Sequence, residues 1–391
     1  MKIAYISSPP FLDFSIEYIQ ELKKEVTLDV YIVLNKQYLQ STILNIKQYN
    51  YKIGELVTID DLKDDVEHYD LLKEYIDGCN SFNFVLFPDK SLSFAALQSS
   101  RKLAAFINKS IPSVVHFDDI HLQLLGLRVF LKSRNLVTNV HDPEPHSGEN
   151  NWRRIFIRKV FYPVMKSFIL FSNYSKDRFI KIYDPLQQVN TLSLTPYYFY
   201  KELPKQSIHL DLSTSDFVLL FFGRISKYKG VGQLLKAFYH LNDKYPNLRL
   251  IIAGKGKLDG EILAESGDET NGKLIVINRF INNRELVYLM GKTDIVVCPY
   301  RDATQSGVVM TAFAFEKKVI VSKVGGLYEP VIENKNGYIY NLNDPNSLEN
   351  VIEKAITKKS YNTEFSNNLK IEASVNIEKL IKIYDKVVSN C

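Results

Sequence analysis

The chain has 391 residues and a formal net charge of +5, and 46% of its residues are hydrophobic against 24% charged. This length exceeds what one hydrophobic core serves, so we expect two domains, and the composition excludes long disorder and a coiled coil. The mild charge argues against nucleic-acid binding. The cysteines lie far apart in sequence without metal-ligand spacing, which predicts a reducing cytoplasm: Cys79, Cys298 and Cys391.

The first half of the chain alternates short apolar segments with segments of helical periodicity. The predicted strands are 2–6, 28–34, 83–87, 113–117, 136–140 and 167–171. The predicted helices include 93–107, 121–133 and 152–164. Because the first strand begins at once and runs into polar Ser7 and Ser8, the N-terminus is typical of a strand rather than a signal peptide. No apolar run approaches the ~20 residues of a membrane-spanning helix.

A segment without clear period, 204–215, predicts a linker, and the alternation resumes after it. The predicted strands are 217–222, 248–253, 274–278, 294–299 and 319–322, and the predicted helices include 283–293, 304–316 and 346–356. We therefore predict an α/β fold with two tandem doubly wound, Rossmann-like domains, 1–203 and 216–370. An amphipathic C-terminal helix within 371–391 is expected to pack back on the first domain. Ligands bind at the carboxyl ends of such strands, so we expect a cleft between the two sheets.

In the first half, the loop after the strand 136–140 is the most polar and most restrained. It begins with His141 and Asp142 and contains two prolines, which hold its side chains in place. A histidine here is suited to donate a hydrogen bond or a positive charge to a leaving group or acceptor. Asp142 fixes its tautomer only if the two side chains meet. A structural turn remains the alternative, and His146 gives only a weak indication of a metal site.

Acidic residues also follow the strand 113–117. Asp118 and Asp119 faintly resemble a metal clamp, but such residues more often cap the following helix, and we predict that role for them.

In the second half, the strand 217–222 runs into a cationic turn. Gly223 breaks the apolar run, and Arg224 and Lys229 follow before helical periodicity begins after Gly230. Two cations at the carboxyl end of a buried strand, beside a helix N-terminus, are suited to bind a diphosphate. The alternative is that both are ordinary solvated charges.

Four further loops of the second half follow predicted strands. Gly254 allows the backbone to approach a ligand closely. Arg279 and Phe280 offer polar groups and an aromatic plane for a nucleobase, although core packing is the alternative for Phe280. Unpaired N–H groups near Ser306 and Gly307 at a helix start are suited to bind a phosphate. The glycine turn 324–326 is followed by an acid, Glu329.

These motifs together resemble the retaining glycosyltransferases of family GT4, which have the GT-B fold. The resemblance is carried by residues 221–224, 228–230, 253–256, 306–309, 324–326 and 336–338. Residues 136–149 look like the family's strand-then-histidine acceptor loop. The resemblance implies that Arg224 and Lys229 bind the donor diphosphate, that His141 lies near the transferred sugar, and that no metal or other cofactor takes part. Retention is then explained by same-face attack, in which the donor phosphate accepts the acceptor's proton.

The sequence departs from the family at two acidic positions. The family carries two glutamates separated by seven residues, and the matching positions are Ala303 and Thr311. Asp302 is one residue away from the first. Thr311 offers one short hydrogen bond where the second glutamate would hold the ribose.

From the loops and the resemblance together, the candidate catalytic residues are His141, Arg224, Lys229 and Asp302. The candidate donor-binding residues are Gly223, Gly254, Arg279, Phe280, Thr304, Gln305, Ser306, Gly307, Thr311 and Glu329. The candidate acceptor-binding residues are Pro10, Phe11, Asp142 and His146.

The segment 151–182 carries eight cations against one acid, interleaved with aromatic residues. The part from Trp152 to Lys166 is suited to an anionic membrane surface or a lipid-diphosphate acceptor. The alternative is a helix with one buried aromatic face and solvated lysines.

The sequence therefore predicts a retaining glycosyltransferase that uses a UDP- or GDP-linked sugar. Its acceptor is a glycan or a polyprenyl-diphosphate-linked molecule in cell-surface polysaccharide biosynthesis, in the cytoplasm or at the cytoplasmic face of the inner membrane. The alternative from another class is a catalytically silent GT-B protein that binds a sugar nucleotide or serves as a scaffold. A sugar-nucleotide epimerase would need a carboxylate-rich cleft, which the sequence does not indicate.

Overall fold

The computed structural model describes residues 1–36, 40–41, 43–46, 52–144, 152–257, 272–358 and 364–389. The chain divides into two compact units, of which the first comprises Met1–Thr195 with Glu372–Cys391 and the second Pro196–Ile371. This division precedes the predicted linker 204–215. The N–H of Tyr197 donates to the carbonyl of Met310 at 3.4 Å, so the segment before Pro204 packs within the second unit.

The first unit contains an eight-stranded sheet in the order β10-β9-β8-β7-β1-β2-β6-β5. Its strands and the small pair β3–β4 are β1 (Lys2–Ser7), β2 (Thr27–Leu34), β3 (Gln40–Ser41), β4 (Leu44–Asn45), β5 (Leu56–Thr58), β6 (Ser81–Leu86), β7 (Val114–Phe117), β8 (Leu136–Asn139), β9 (Ser167–Leu170) and β10 (Gln188–Thr191). All neighbours are parallel except β5, which pairs antiparallel with β6. Parallel strands are buried on both faces, which explains their continuous apolar sequences.

Helices flank this sheet, and apolar side chains from both layers form its core. They are α1 (Leu12–Leu22), α2 (Tyr69–Ile76), α3 (Phe94–Ser110), α4 (Leu127–Phe130), α5 (Trp152–Phe161) and α6 (Asn173–Tyr183).

The second unit contains a six-stranded sheet in the order β13-β12-β11-β14-β15-β16, with parallel neighbours. Its strands are β11 (Phe217–Phe222), β12 (Leu248–Ala253), β13 (Leu274–Ile277), β14 (Ile295–Cys298), β15 (Lys318–Ser322) and β16 (Gly337–Tyr340). Its helices are α7 (Phe199–Glu202), α8 (Val231–Asn242), α9 (Asn283–Lys292), α10 (Gly307–Ala314) and α11 (Ser347–Thr357). The α/β prediction is confirmed, with parallel strands dominating both sheets.

The helix predicted at 121–133 is wrong. The structure has a single 3₁₀ turn at Leu122–Leu124 and then the short helix α4. The side chain of Asn108 accepts from the N–H of Lys132 at 3.0 Å and donates to the carbonyl of Phe130 at 2.9 Å, which ends α4 there. Four leucines of this segment are buried in the core although no continuous helix carries them: Leu122, Leu124, Leu127 and Leu131.

The last helix, α12, spans Glu364–Ser389. Its buried residues in the first unit include Ile377, Leu380, Tyr384 and Val387. The side chain of Asn376 anchors it by accepting from the N–H of Ser193 at 3.1 Å and donating to that residue's carbonyl at 2.9 Å. Among the described residues, no helix combines the length and apolarity needed to cross a membrane.

Candidate functional site

A buried polar cluster lies at the carboxyl ends of β1, β7 and β8 in the first unit. The Asp118 carboxylate is its centre and is 1% exposed. It accepts hydrogen bonds from Asn139 Nδ2 at 2.8 Å and from His141 Nε2 at 2.9 Å. The hydroxyl of Ser7 donates to it at 2.8 Å, and Ser15 Oγ donates to the same oxygen. Donors at the ends of β1 and β8 and on α1 therefore fix this carboxylate, and we call Asp118 and its four donors the His141 cluster.

Aromatic side chains surround the His141 ring. Phe11 stacks on it with a centroid distance of 4.3 Å and an interplanar angle of 14°. Phe14 contacts it edge-on at 5.2 Å, and Phe171 lies at the same centroid distance in a tilted orientation. His141 is 7% exposed, so its ring has little freedom to rotate. The candidate acceptor residue Phe11 belongs to a 3₁₀ turn, Pro9–Phe11, directly after β1.

The two charged members of the cluster shift each other's pKa. Burial opposes the imidazolium form of His141, but the hydrogen bond and negative charge of Asp118 outweigh it and raise the pKa of His141 above its usual value. Burial likewise opposes the Asp118 carboxylate, but the hydrogen bonds from His141 and Asn139 outweigh it and lower the pKa of Asp118. The cluster therefore favours the imidazolium form of His141.

The predicted capping role of Asp118 and Asp119 is wrong. Asp118 faces His141, and Asp119 has a left-handed backbone with φ of 68° and accepts from the next residue's N–H at 2.8 Å. The sequence left open whether Asp142 fixes the tautomer of His141. In the structure, His141 Nε2 is hydrogen-bonded to Asp118. Asp142 acts on His141 through its charge and lies 3.5 Å from Arg154. The only sequence signal for Asp118 was its position directly after the strand β7. The structure shows that β7 is the neighbour of β8, which places Asp118 next to His141.

A cavity of about 420 Å³ adjoins the cluster within the first unit. Arg154 lies on its wall between two carboxylates, 3.4 Å from Asp119 and 3.5 Å from Asp142. His121 contacts Ser8 Oγ at 3.2 Å, and burial lowers the pKa of His121. The candidate acceptor residues Pro10, Phe11 and Asp142 line this cavity. His146 lies outside the described residues.

In the second unit, β11 ends in the predicted cationic turn. Gly223 has φ of 110° and Gly230 has φ of 69°, so both need the left-handed freedom of glycine. A side chain at Gly230 would place its Cβ 1.8 Å from the carbonyl oxygen of Pro299, so the backbone of this turn packs directly on the loop after β14.

Tyrosine rings support both cations of the turn. Arg224 Nη2 donates to the hydroxyl of Tyr228 at 3.3 Å. Lys229 Nζ lies 3.6 Å from the ring centroid of Tyr300 and 5.2 Å from that of Tyr228. Cation–π contacts of this kind hold a cation in place while leaving it charged.

The N-terminus of α10 lies beside this turn. A Cβ built on Gly223 would be 3.8 Å from the Val308 side chain, in the first turn of α10. Ser306 occupies the cap position without a side-chain cap hydrogen bond, and its hydroxyl donates to Tyr300 at 3.5 Å. The free N–H groups at this helix start are an anion-binding feature, and the turn adds two positive charges next to it.

The remaining candidate residues occupy several environments in the second unit. Gly254, with φ of 150°, packs its backbone on Gly223. Arg279 binds the Glu285 carboxylate with two hydrogen bonds of 2.8 Å. Phe280 is 73% exposed, which rules out the alternative of core packing. Thr311 is buried, and its hydroxyl donates to the carbonyl of Gly307 at 2.9 Å.

The other candidates lie in the loops around α10 and after β15. Thr304 is buried, Asp302 and Gln305 are half-buried, and Glu329 is exposed. The carbonyl of Ala303 accepts from the N–H of Gly326 at 3.2 Å, so these two loops are in contact.

Comparison with known proteins finds relatives for this part of the chain. Residues 204–372 match the family described as glycosyl transferases group 1. An uncharacterized glycosyltransferase of Methanocaldococcus jannaschii is 25% identical over 173 residues, which are 43% of this chain and 44% of that protein. Alpha-monoglucosyldiacylglycerol synthase of Acholeplasma laidlawii is 28% identical over 159 residues, 39% of each chain. The chain thus spans about two fifths of the length of these curated relatives.

Structural similarity extends over the whole chain. A solved structure described as trehalose-6-phosphate from E. coli bound with UDP-2-fluoro glucose has a TM-score of 0.65 at 12% identity, covering 98% of this chain and 99% of that one. The protein therefore has the GT-B fold, as the resemblance predicted. The region that matches glycosyl transferases group 1, residues 204–372, contains the cationic turn and the start of α10.

Proposed function

We propose that this protein is a retaining glycosyltransferase of the GT4 type. It moves a sugar from a UDP- or GDP-linked donor to a glycan or lipid-linked acceptor in cell-surface polysaccharide biosynthesis. The observation that carries the proposal is the contact between the Gly223 turn, with Arg224 and Lys229, and the N-terminus of α10. This combination of two cations and free N–H groups matches the charge of a nucleoside diphosphate leaving group.

The proposed chemistry is electrostatic. As the bond between sugar and diphosphate breaks, negative charge grows on the leaving phosphate, and Arg224 and Lys229 stabilise it. The two cations then act where other transferases use a divalent ion, so the reaction needs no metal. By the resemblance, His141 donates a hydrogen bond to the transferred sugar and keeps its proton throughout. The acceptor attacks from the face that the diphosphate leaves, and the phosphate accepts the acceptor's proton.

The names of similar proteins guide the choice of substrates to test. The E. coli structure contains a UDP-linked fluorosugar, so UDP-glucose is the first donor to try. The Acholeplasma relative is named for a glucosylated diacylglycerol, which supports a lipid-linked acceptor.

The exposed face of α5 supports peripheral membrane contact. Trp152, Ile155 and Phe156 are 59%, 44% and 42% exposed, and exposed Lys159 continues the same face. Three of the eight cations predicted for this region have internal partners: Arg158 is buried, Arg178 pairs with Glu144, and Arg154 lies against Asp119 and Asp142. The proposed membrane surface therefore has fewer cations available than the eight counted in the sequence. Its aromatic and basic groups together are still suited to an anionic bilayer.

The test is donor turnover by purified variants. Arg224→Ala and Lys229→Ala should each reduce kcat/KM for the preferred nucleotide sugar by about 10²–10³-fold, because each removes one contact to the leaving diphosphate. Lys227→Ala is the matched control, since Lys227 is an exposed cation in the 3₁₀ turn Lys227–Lys229 that also contains Lys229, and it should retain activity. Full turnover by both Arg224→Ala and Lys229→Ala would contradict the diphosphate assignment.

A second candidate function is a catalytically silent protein that binds a sugar nucleotide. It is favoured by Ala303 and Thr311, which occupy the positions of the two family glutamates. The Thr311 hydroxyl already donates to its own helix, so it is a poor substitute for a ribose-binding carboxylate. A silent protein would be thermally stabilised by UDP- or GDP-sugars without releasing nucleotide, whereas a transferase releases it when an acceptor or water is present.

A further inference from the structure

A chain of hydrogen bonds runs from the C-terminal helix α12 to the His141 cluster. The hydroxyl of Tyr384 is 2.5 Å from His116 Nδ1, and His116 Nε2 is 3.0 Å from Asn139 Oδ1. Asn139 Nδ2 donates to Asp118 Oδ1 at 2.8 Å, and His141 Nε2 lies 2.9 Å from that same oxygen. All five residues belong to the first unit.

The direction of each hydrogen bond follows from the chemistry of the partners. Ionised Asp118 can only accept, so the Asn139 amide nitrogen faces it and the amide oxygen faces His116. That oxygen also only accepts, so His116 carries its proton on Nε2. Burial lowers the pKa of His116 to about 4, so the ring is neutral and its Nδ1 must accept from Tyr384. Every donor therefore points from Tyr384 toward Asp118.

Water has little access to this chain. Tyr384 is 0%, His116 1% and Asn139 3% exposed. Tyr5 packs against the His116 ring with a centroid distance of 4.8 Å, which also limits its rotation. Buried polar groups that lose a partner pay the full cost of desolvation, so each link keeps the next one oriented.

We propose that Tyr384 is a positioning residue that acts through His116 and Asn139 to hold Asp118, and through Asp118 the ring of His141. The C-terminal helix thereby contributes to the candidate active site without touching substrate. This inference rests on the proposed function for its catalytic consequence, but the positioning itself is a property of the folded chain. Without the Tyr384 hydroxyl, His116 Nδ1 loses its donor, so the buried ring keeps only its hydrogen bond to Asn139 and holds that amide less firmly.

The test compares two variants of the same helix. Tyr384→Phe removes one hydroxyl and keeps the packing of the ring. Asn376→Ala is the matched control. Asn376 is a buried polar anchor of α12 that is hydrogen-bonded to Ser193 and does not take part in the hydrogen-bond chain from Tyr384 to Asp118. Asn139→Ala interrupts the hydrogen-bond chain between His116 and Asp118. It provides a second test of whether this chain orients His141 if Tyr384→Phe folds poorly.

The first readout is the NMR spectrum of histidine-labelled protein, in which a His141→Gln variant assigns the His141 ring signals. Tyr384→Phe and Asn139→Ala should shift these signals and their titration, whereas Asn376→Ala should leave them in place. Besides Asp118, the charged or titratable groups that interact electrostatically with His141 include Asp119, Asp142, His116 and His121, and these are unchanged in Tyr384→Phe and Asn376→Ala.

The second readout is turnover of the preferred nucleotide sugar. Tyr384→Phe should lower kcat by about tenfold, the scale of loss from a small misplacement of a catalytic group, without raising KM for the donor. Asn376→Ala should lower the melting temperature without this kcat loss. Unshifted His141 signals in folded Tyr384→Phe would overturn the positioning role of Tyr384, and unshifted signals in Asn139→Ala would overturn the role of the whole hydrogen-bond chain. If the wild type turns over no nucleotide sugar, the proposed function fails while the NMR comparison still decides this inference.

Discussion

His141 and Asp118 of the first unit are almost completely buried, and neighbouring side chains hold them by hydrogen bonds and aromatic contacts. Arg224 of the second unit is exposed and Lys229 is half-buried, and glycine turns and tyrosine rings determine where they lie. The first arrangement fixes a protonation state, because burial makes each pKa depend on its neighbours. The second arrangement leaves both cations at least partly exposed to water, so placing their positive charges there costs little desolvation.

The two regions should also respond to different kinds of change. The His141 cluster should respond to pH and to the loss of single hydrogen-bonding groups. The cationic turn should instead respond to changes in its backbone, because close backbone contacts build it. Two predictions test this difference, and a third concerns the exposed ring of Phe280.

The largest effect on stability is expected at Gly230, where the backbone packs most closely on the loop after β14. Gly230→Ala adds a Cβ 1.8 Å from the carbonyl oxygen of Pro299 at a residue with φ of 69°. Strain and overpacking together should lower the free energy of unfolding by on the order of 4 kcal/mol. Gly291→Ala is the control, because Gly291 lies in α9 with no neighbouring atom within 4 Å of its Cβ position, and it should be neutral or stabilising. Urea unfolding measures both, and equal stability of the two variants would contradict the role of the turn.

The next effect is a pH dependence in the first unit. His116 is neutral when folded, with a pKa of about 4, whereas an unfolded histidine titrates near its ordinary value of 6.5. Its contribution to stability is therefore present above about pH 6.5 and is lost as the pH falls toward 4, by about 3 kcal/mol in total. The raised pKa of His141 acts in the opposite sense, because its contribution is present at low pH and is lost as the pH rises.

His116→Gln should remove the loss of stability that protonation of His116 causes at low pH. The opposite pH-dependent contribution of His141 to stability should remain. Urea unfolding at several pH values between 4 and 7 measures the difference. His240→Gln is the control, because His240 is an exposed residue of α8 that pairs with Glu349, and it should keep the wild-type slope. A wild-type slope in His116→Gln would show that this buried histidine does not set the pH dependence.

The smallest effect on stability is expected for Phe280→Ala. Phe280 is 73% exposed, so its removal should change the free energy of unfolding by less than about 0.5 kcal/mol. If its ring stacks on the nucleobase, KM for the donor should rise by about five- to tenfold, since stacking on a base contributes about 1–3 kcal/mol. An unchanged KM would remove Phe280 from the donor-binding residues.

Much of the fold was predictable because its signals are local. The apolar runs of β11 and β12 matched the observed strands at both ends, since a buried parallel strand needs continuous apolar residues. The strand β10 was missed because Gln188 to Thr191 is polar and lies at the sheet edge. The helix predicted at 121–133 failed because core burial, and not helical continuity, explains its apolar spacing.

The sequence by itself determined the strand ends at which chemistry-bearing residues stand, among them Gly223, Arg224 and His141. It did so because glycine and polar residues interrupt apolar runs wherever a buried strand reaches the edge of its sheet. Only the tertiary structure decided which of these residues meet. Asp118 reaches His141 across 23 residues, and Tyr384 reaches His116 across 268, because sheet order and the return of α12 bring them together. Neither contact leaves a periodic signal in the chain, so local pattern cannot reveal it.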